Sequence, residues 1–240
     1  MTNLIVFGAS GRMGGTILGL ASRDSQYKIA GAVESLHHAS VGKKILDGKV
    51  AVTSDLDSLK GEGLVAIDFT APAATLAHLE LLSGWKKSAA VIGTTGFSDR
   101  EKSEIEEFAE KMPIVFSPNM SRGVNLMLGL VRDAAKKLEG YNIELVESHH
   151  NQKKDAPSGT ALALAKEIAG EIKRNPTIHS IRAGDIVGEH TVLFAAGGEQ
   201  IEIKHVATSR DAFAHGALHA AKWVSGKKPG LYSMQDVLEK

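Results

Sequence analysis

Residues 3–14 read NLIVFGASGRMG, a short apolar run that stops at Gly8 and gives way to a loop with glycine at positions 8, 11 and 14. The run at 3–7 predicts a buried strand and the stretch from Arg12 to Ala21 a helix, so the segment is strand, loop, helix. Glycines at this spacing and in this setting are a variant of the fingerprint that holds the pyrophosphate of a dinucleotide. The anion must come close to backbone N–H groups at a helix N-terminus, where a Cβ on the loop would obstruct it. Gly8 and Gly11 are expected to permit that approach, and Gly14 to let the helix pack closely. Glu34 follows Gly14 by about 20 residues, at the end of the next apolar run, where an acid accepts hydrogen bonds from adenosine ribose hydroxyls and repels a 2′-phosphate. The competing reading is a structural turn followed by a surface glutamate.

Outward from this segment the alternation continues. Strands are expected at 28–33, around 49–53, at 63–69, 89–93 and 113–117, with helices over 73–83 and 98–112. Such β-α alternation predicts an α/β fold, a Rossmann-like, doubly wound parallel sheet with its ligand crevice beyond the carboxyl ends of the strands. The loops expected there are 8–14, 34–35, 69–71, 93–96 and 117–121. After Met120 the pattern changes. A long helix over 124–138, a strand at 143–148, a helix over 160–173 and strand-like runs at 179–183, 190–195 and 200–207 predict a second, smaller α+β unit with a mostly antiparallel or mixed sheet. A helix over 211–225, a Gly/Pro turn and a short helix close the chain.

Composition narrows the function classes. In 240 residues Lys plus Arg and Asp plus Glu stand at 28 each, so no sequence-wide field attracts nucleic acid or an anionic membrane. There is no cysteine, which excludes disulfides, thiolate metal sites and cysteine nucleophiles. No run approaches the roughly 18 apolar residues of a membrane span, and the N-terminal apolar run is too short for a signal peptide. The chain reads as soluble and cytoplasmic.

The most chemically loaded stretch is Glu147-Ser-His-His-Asn-Gln-Lys-Lys-Asp-Ala-Pro-Ser-Gly-Thr160, between a predicted strand and a predicted helix. Ser158, Gly159 and Thr160 at the start of that helix suit a substrate carboxylate, because the first turn presents backbone N–H groups. Histidine and lysine nearby can donate protons or neutralise charge. On chemistry alone the alternative stands: Ser158 or Thr160 simply caps a helix, and the paired histidines are solvated.

These segments together resemble the 4-hydroxy-tetrahydrodipicolinate (dihydrodipicolinate) reductase family. The similarity is carried by GASGRMG, DFT at 68–70, GTTG at 93–96, SPNMSRGVN at 117–125, ELVESHHNQKKDAPSGTA at 144–161, RAGDIVGEHTV at 182–192 and HVATSRDAFAHGAL at 205–218. They run in order through nearly the whole chain, and the histidine-lysine-DAPSGTA block is specific where glycine loops are not. The resemblance implies reduction of a small dicarboxylate cyclic imine by NADH or NADPH in the lysine and diaminopimelate pathway. It implies that Gly8, Ala9, Ser10, Gly11, Arg12 and Met13 hold the pyrophosphate and Glu34 the ribose. Gly93, Thr94 and Thr95, with Ser117, Pro118, Asn119 and Met120, would line the nicotinamide side. His149 would give or take a proton and Lys153 give one, with His150, Gly159 and Thr160 binding the dicarboxylate. It further implies a dinucleotide-binding domain of residues 1–120 and 211–240, and a substrate-binding and oligomerisation domain of 121–210. A hinge between the two and a homotetramer are implied as well.

One departure bears on the cofactor. Family members that use both nucleotides tend to carry an arginine directly after the ribose-binding acid, and Ser35 stands there. NADH is therefore the expected cofactor, with His37, His38, Lys43 and Lys44 downstream as candidate phosphate partners for NADPH. The readings set against the lead are another Rossmann dehydrogenase of small carboxylates and a non-catalytic NAD(H)-binding regulator. Arg182, Asp185, Glu189 and His190 are read as structural or interfacial, and His205, His215 and His219 show no metal-ligand spacing.

Overall fold

The computed structural model describes residues 1–239, which divide into two compact units: Met1–Met120 joined by the chain from Phe213 onward, and Ser121–Ala212. The first unit is built on β1 (Thr2–Phe7), α1 (Arg12–Ala21), β2 (Tyr27–Val33), β3 (Lys44–Ile45), β4 (Val50–Thr53), β5 (Leu64–Asp68), α2 (Pro72–Ser83), β6 (Ala89–Ile92), α3 (Asp99–Ala109) and β7 (Pro113–Phe116). In the second unit α4 (Arg122–Lys137), β8 (Asn142–His149), α5 (Gly159–Ile172), β9 (Thr177–Arg182), β10 (Gly188–Ala196) and β11 (Glu199–Ala207) follow. The chain then adds α6 (Asp211–Val224), β12 (Gly230–Tyr232) and α7 (Met234–Leu238).

The large sheet has the order β12-β7-β6-β5-β1-β2-β4-β3, parallel throughout except for the β3–β4 hairpin. Strand order reverses between β1 and β5, which both leave the sheet at its carboxyl edge, so the loops after Phe7 and Asp68 flank the switch point at which α/β sheets bind ligands. Every residue of β5 and β6 is buried, as expected of strands covered on both faces. Burying a side chain such as Ile67 contributes roughly 1.5–3 kcal/mol. Two apolar clusters form the two layers, one of them including Ile17 and Leu18 of α1, Leu218 of α6 and Met234 of α7, the other Leu79 of α2 and Ile105 of α3.

Two elements escape the sequence pattern. Residues 230–232, read as part of a Gly/Pro turn, form β12, which pairs in parallel with β7 through Leu231 opposite Ile114. The two-residue β3 folds back on β4. Neither is long enough to show a period. The helix over 98–112 is shorter, Asp99–Ala109, and at its start Ser98 is the cap: Ser98 and Glu101 exchange hydrogen bonds in a capping box.

The second unit has a four-stranded mixed sheet of order β11-β10-β8-β9, with β8 and β9 parallel and the other pairs antiparallel. Inward residues Ile143, Leu145, Val192 and Phe194 pack with Val131 of α4 and Leu164 and Ile168 of α5. The opposite face is more open, with Ile181 and Val206 substantially exposed. No helix among the described residues is long and apolar enough to cross a membrane.

Candidate active site

In the first unit the glycine loop is shaped by backbone contacts. Gly8 takes a left-handed φ of +66°, and the Gly11 N–H donates to its carbonyl at 2.9 Å. A Cβ on Gly14 would lie 2.1 Å from that carbonyl oxygen, so α1 packs on the loop backbone itself. Gly11 caps α1 without a side-chain hydrogen bond, and the Cβ it lacks would sit 3.1 Å from the Gly8 oxygen. Ser10, Gly11 and Arg12 are exposed, Ala9 is buried, and Met13 packs against the core. The loop thus leaves the first turn of α1 open as an anion cradle, which fits a pyrophosphate. Glu34 reaches the same loop: its Oε1 accepts from the Ser10 N–H at 2.7 Å. Glu34 also lines a cavity of about 330 Å³ with Gly8, Leu36, Thr70 and His78.

Below this loop lies a hydrogen-bonded group that sequence reading quoted only in part. Buried Asp68 accepts from the Thr70 N–H at 2.9 Å and hydroxyl at 2.6 Å, and its other oxygen lies 2.7 Å from Nδ1 of His78. The His78 ring stacks on Phe7 at 3.8 Å. Burial pushes the Asp68 carboxyl up, but His78 and Thr70 outweigh it and hold it below the ordinary carboxylate value. Thr94 is buried and spends its hydroxyl here, accepting from Thr75 at 2.9 Å and lying 3.3 Å from Asp68. Met120 is also buried, in the core cluster. The side chains of Thr94 and Met120 therefore support the loops that carry them, while Thr95 is exposed. Gly93 is required by a close approach, since a Cβ there would fall 2.1 Å from the Phe69 ring. Ser117 donates to the Asn119 carbonyl at 2.8 Å, closing the turn that holds Pro118.

In the second unit the inward alternation of β8 carries two polar residues past its apolar ones. Ile143 and Leu145 face the helices, and so do Glu147 and His149 beyond them. Glu147 is fully buried. Its carboxylate takes a two-pronged contact from Arg182, at 2.7 and 3.0 Å, accepts from the Ser158 N–H at 3.3 Å, and hydrogen-bonds Nδ1 of His149. Strand register explains the meeting: Arg182 of β9 is opposite His149, and His190 of β10 opposite Glu147. His190 lies edge-on to His149 at 5.2 Å between ring centres, with its Nε2 at 3.2 Å from the Ser158 hydroxyl. Gly188 makes room for the catalytic candidate, for a Cβ there would lie 3.1 Å from Nε2 of His149.

The electrostatics follow from burial and charge. Burial raises the Glu147 carboxyl, but hydrogen bonds from Arg182, Ser180 and His149 bring it down to about 2. Burial lowers the His149 imidazole; Glu147 opposes this, Lys153 and Arg182 add to it, and the ring ends below the ordinary histidine value. Burial together with neighbouring His149 pushes His190 down to about 4. Glu147, His149 and His190 offer ligand-type atoms within 4.8 Å of one another. Both Glu147 oxygens are already engaged by the Arg182 guanidinium, whose charge repels a cation, so the trio is a hydrogen-bonded cluster rather than a metal cage.

Lys153 is half-buried, with Nζ 2.9 Å from Asp155, and its backbone N–H donates to the carbonyl of half-buried His150 at 3.1 Å. Ser158 caps α5 through the Ala161 N–H, so the helix-cap reading of that serine is realised along with its contacts to the histidine cluster. Gly159 and Thr160 open the helix, whose N-terminal end favours an anion. Reading the sequence missed Glu147, Arg182 and His190 as members of the site. The available signal was polar residues at inward positions of otherwise apolar alternation.

The chain is an oxidoreductase that works with a pyridine nucleotide, as its family shows. Residues 2–120 match the family model for the dihydrodipicolinate reductase N-terminus and residues 123–238 that for its C-terminus, and the chain belongs to this family. Named 4-hydroxy-tetrahydrodipicolinate reductases from Anaeromyxobacter sp. (strain Fw109-5) and Hahella chejuensis are 43% and 46% identical to it. The alignments cover 99% of this chain with 98% and 99% of those proteins. A dipicolinate-bound dihydrodipicolinate reductase from Paenisporosarcina sp. TG-14 shares the fold, with a TM-score of 0.84 over 98% of this chain and 99% of that one at 24% identity. An amine dehydrogenase from Mycobacterium smegmatis shares it more distantly, with a TM-score of 0.64 over 98% and 95% of the two chains at 11% identity.

Proposed function

We propose that the chain reduces 4-hydroxy-tetrahydrodipicolinate to tetrahydrodipicolinate with a reduced nicotinamide nucleotide, using His149 and Lys153 for proton handling. The observation that carries the residue assignment is the loop after β8. It sets His149, His150 and Lys153 just ahead of the helix end opened by Gly159 and Thr160. The nucleotide supplies the hydride. Gly8 to Met13 hold its pyrophosphate and Glu34 its ribose, and the loops at 93–95 and 117–120 border its nicotinamide. His150 and the first turn of α5 neutralise the substrate carboxylates. The substrate must lose its 4-hydroxyl as water to give the conjugated imine; negative charge would grow on that ring as hydride adds, and the Lys153 ammonium would stabilise and then protonate it.

NADH is the preferred nucleotide in this reading. Glu34 is fixed on the glycine loop by Ser10 and would meet a 2′-phosphate with like charge, and Ser35 offers no cation to offset it. The substrate face of the reading is tested by incubating the protein with the condensation product of pyruvate and aspartate semialdehyde and following the loss of reduced-nicotinamide absorbance. No turnover with either nucleotide would refute it. A kcat/KM with NADPH equal to or above that with NADH would refute the cofactor preference.

The open face of the four-stranded sheet, on which Ile181 and Val206 are exposed in one cross-strand row, supports a homotetramer assembled through this sheet. Light scattering on the purified chain tests it, and a monomer would overturn it. A cytoplasmic location is consistent with the absence of cysteine.

A further inference from the structure

We infer that Glu147, clamped by Arg182, is a positioning residue that fixes His149 with its proton on Nδ1, so that the neutral ring presents the Nε2 lone pair as a hydrogen-bond acceptor beside Gly188. The inference rests on the reading that His149 takes part in the reduction.

The geometry fixes one proton, the one on Nδ1. A carboxylate that takes both prongs of a guanidinium and a backbone N–H is held ionised, and an ionised carboxylate only accepts. Nδ1 of His149 faces one of its oxygens and must be the donor. In the neutral ring Nε2 then carries the lone pair, in the space left by the missing Cβ of Gly188. The outer partner of a histidine sets which nitrogen bears the proton, as carboxylates do for catalytic histidines elsewhere.

The charges around the ring come from every strand of the small sheet. Glu147 shares β8 with His149, Arg182 faces it from β9 and His190 from β10, while Lys153, paired to Asp155, stands on the following loop. His205 of β11 acts on His190. Burial outweighs the Glu147 carboxylate, and Lys153 and Arg182 add to it, so the neutral form of the ring is favoured. A neutral acceptor at Nε2 leaves the ammonium of Lys153 as the acid, which divides the two proton roles that the sequence leaves shared.

The decisive measurement is the tautomer of His149 in the intact protein, read from long-range nitrogen–proton correlations on histidine-labelled chain near neutral pH. A ring protonated on Nδ1 alone is expected, and a ring protonated on Nε2, or on both nitrogens, overturns the inference without any variant. Glu147→Gln then tests the consequence. Its kcat is expected to fall about 10-fold or more with the KM for nucleotide unchanged, and the limb of the kcat–pH profile that His149 controls moves to lower pH. Arg182→Lys, which keeps the charge and loses the fork, should act in the same direction more weakly. A folded Glu147→Gln protein with the parent kcat and pH profile, beside an inactive His149→Ala, strikes this inference alone. Full turnover in His149→Ala strikes the proposed function instead. If Glu147→Gln does not fold, the wild-type tautomer decides.

Discussion

The glycine loop and the loop after β8 handle charge in opposite ways. The first is shaped by what is missing: glycines bring α1 down onto the Gly8 carbonyl, and no side chain caps the helix, so its first turn is open to an anion. The second is shaped by what is present, a buried carboxylate saturated by Arg182 and Ser158 and set against two histidines. A backbone cradle needs no proton at any pH in the working range. A cluster of titratable side chains can transfer protons, and acid disturbs it. In the proposed function the chain separates holding from chemistry, and substitutions should fail differently in the two regions.

The largest effect is expected in the second region. His149→Ala and Lys153→Ala should each lower kcat by at least about 100-fold while nucleotide binding, followed by quenching of reduced-nicotinamide fluorescence, stays nearly intact. Loss of binding instead of turnover would erase the contrast between the loops. In the first region, Gly14→Ala should destabilise the protein by about 2 kcal/mol in denaturant titration, because the added Cβ meets backbone that cannot swing aside. Glu34→Ala should raise the KM for NADH by about 10-fold with little change in kcat, and narrow the gap to NADPH.

Acid should separate the regions again. His190 has a folded pKa of about 4 against an ordinary 6.5, so the unfolded chain takes up its proton first and stability is lost as pH falls between those values. Glu147, at about 2 against 4.5, adds a loss as pH falls from roughly 5 toward 2. His190→Asn should flatten the upper part of that decline in pH-dependent denaturation curves, and a parent decline confined to below pH 4 would contradict the assignment. The smallest effect is Ser158→Ala, about 1 kcal/mol from the lost cap of α5, measured by thermal unfolding with hydrogen-exchange protection of the helix.

The parts of the molecule legible in the sequence are those where one physical rule acts alone. The apolar runs of β1, β5 and β6 announce strands buried on both faces, and Gly8, Gly11 and Gly14 announce a close approach that side chains would block. The large sheet, the mixed smaller sheet and the family all follow from such local signals. What stayed hidden depends on partners distant in sequence. Arg182 meets Glu147 only because β8 and β9 run parallel in one register, and His190 joins them through the antiparallel register of β10. Read singly, each is a polar residue in a strand. β12 has three residues, too few to show any period, and its identity as a strand comes entirely from pairing with β7.

The return of the chain to the first unit in α6 and α7 has a consequence for how the chain is made. The ribosome releases β1 first, yet the core around it includes Ala217, Leu218 and Val224 of α6 and Met234 and Val237 of α7. Every residue of 121–212 has emerged before these arrive. The unit begun first is thus the last whose core can close, and the small sheet can settle while the nascent Rossmann layer still exposes apolar surface to chaperones.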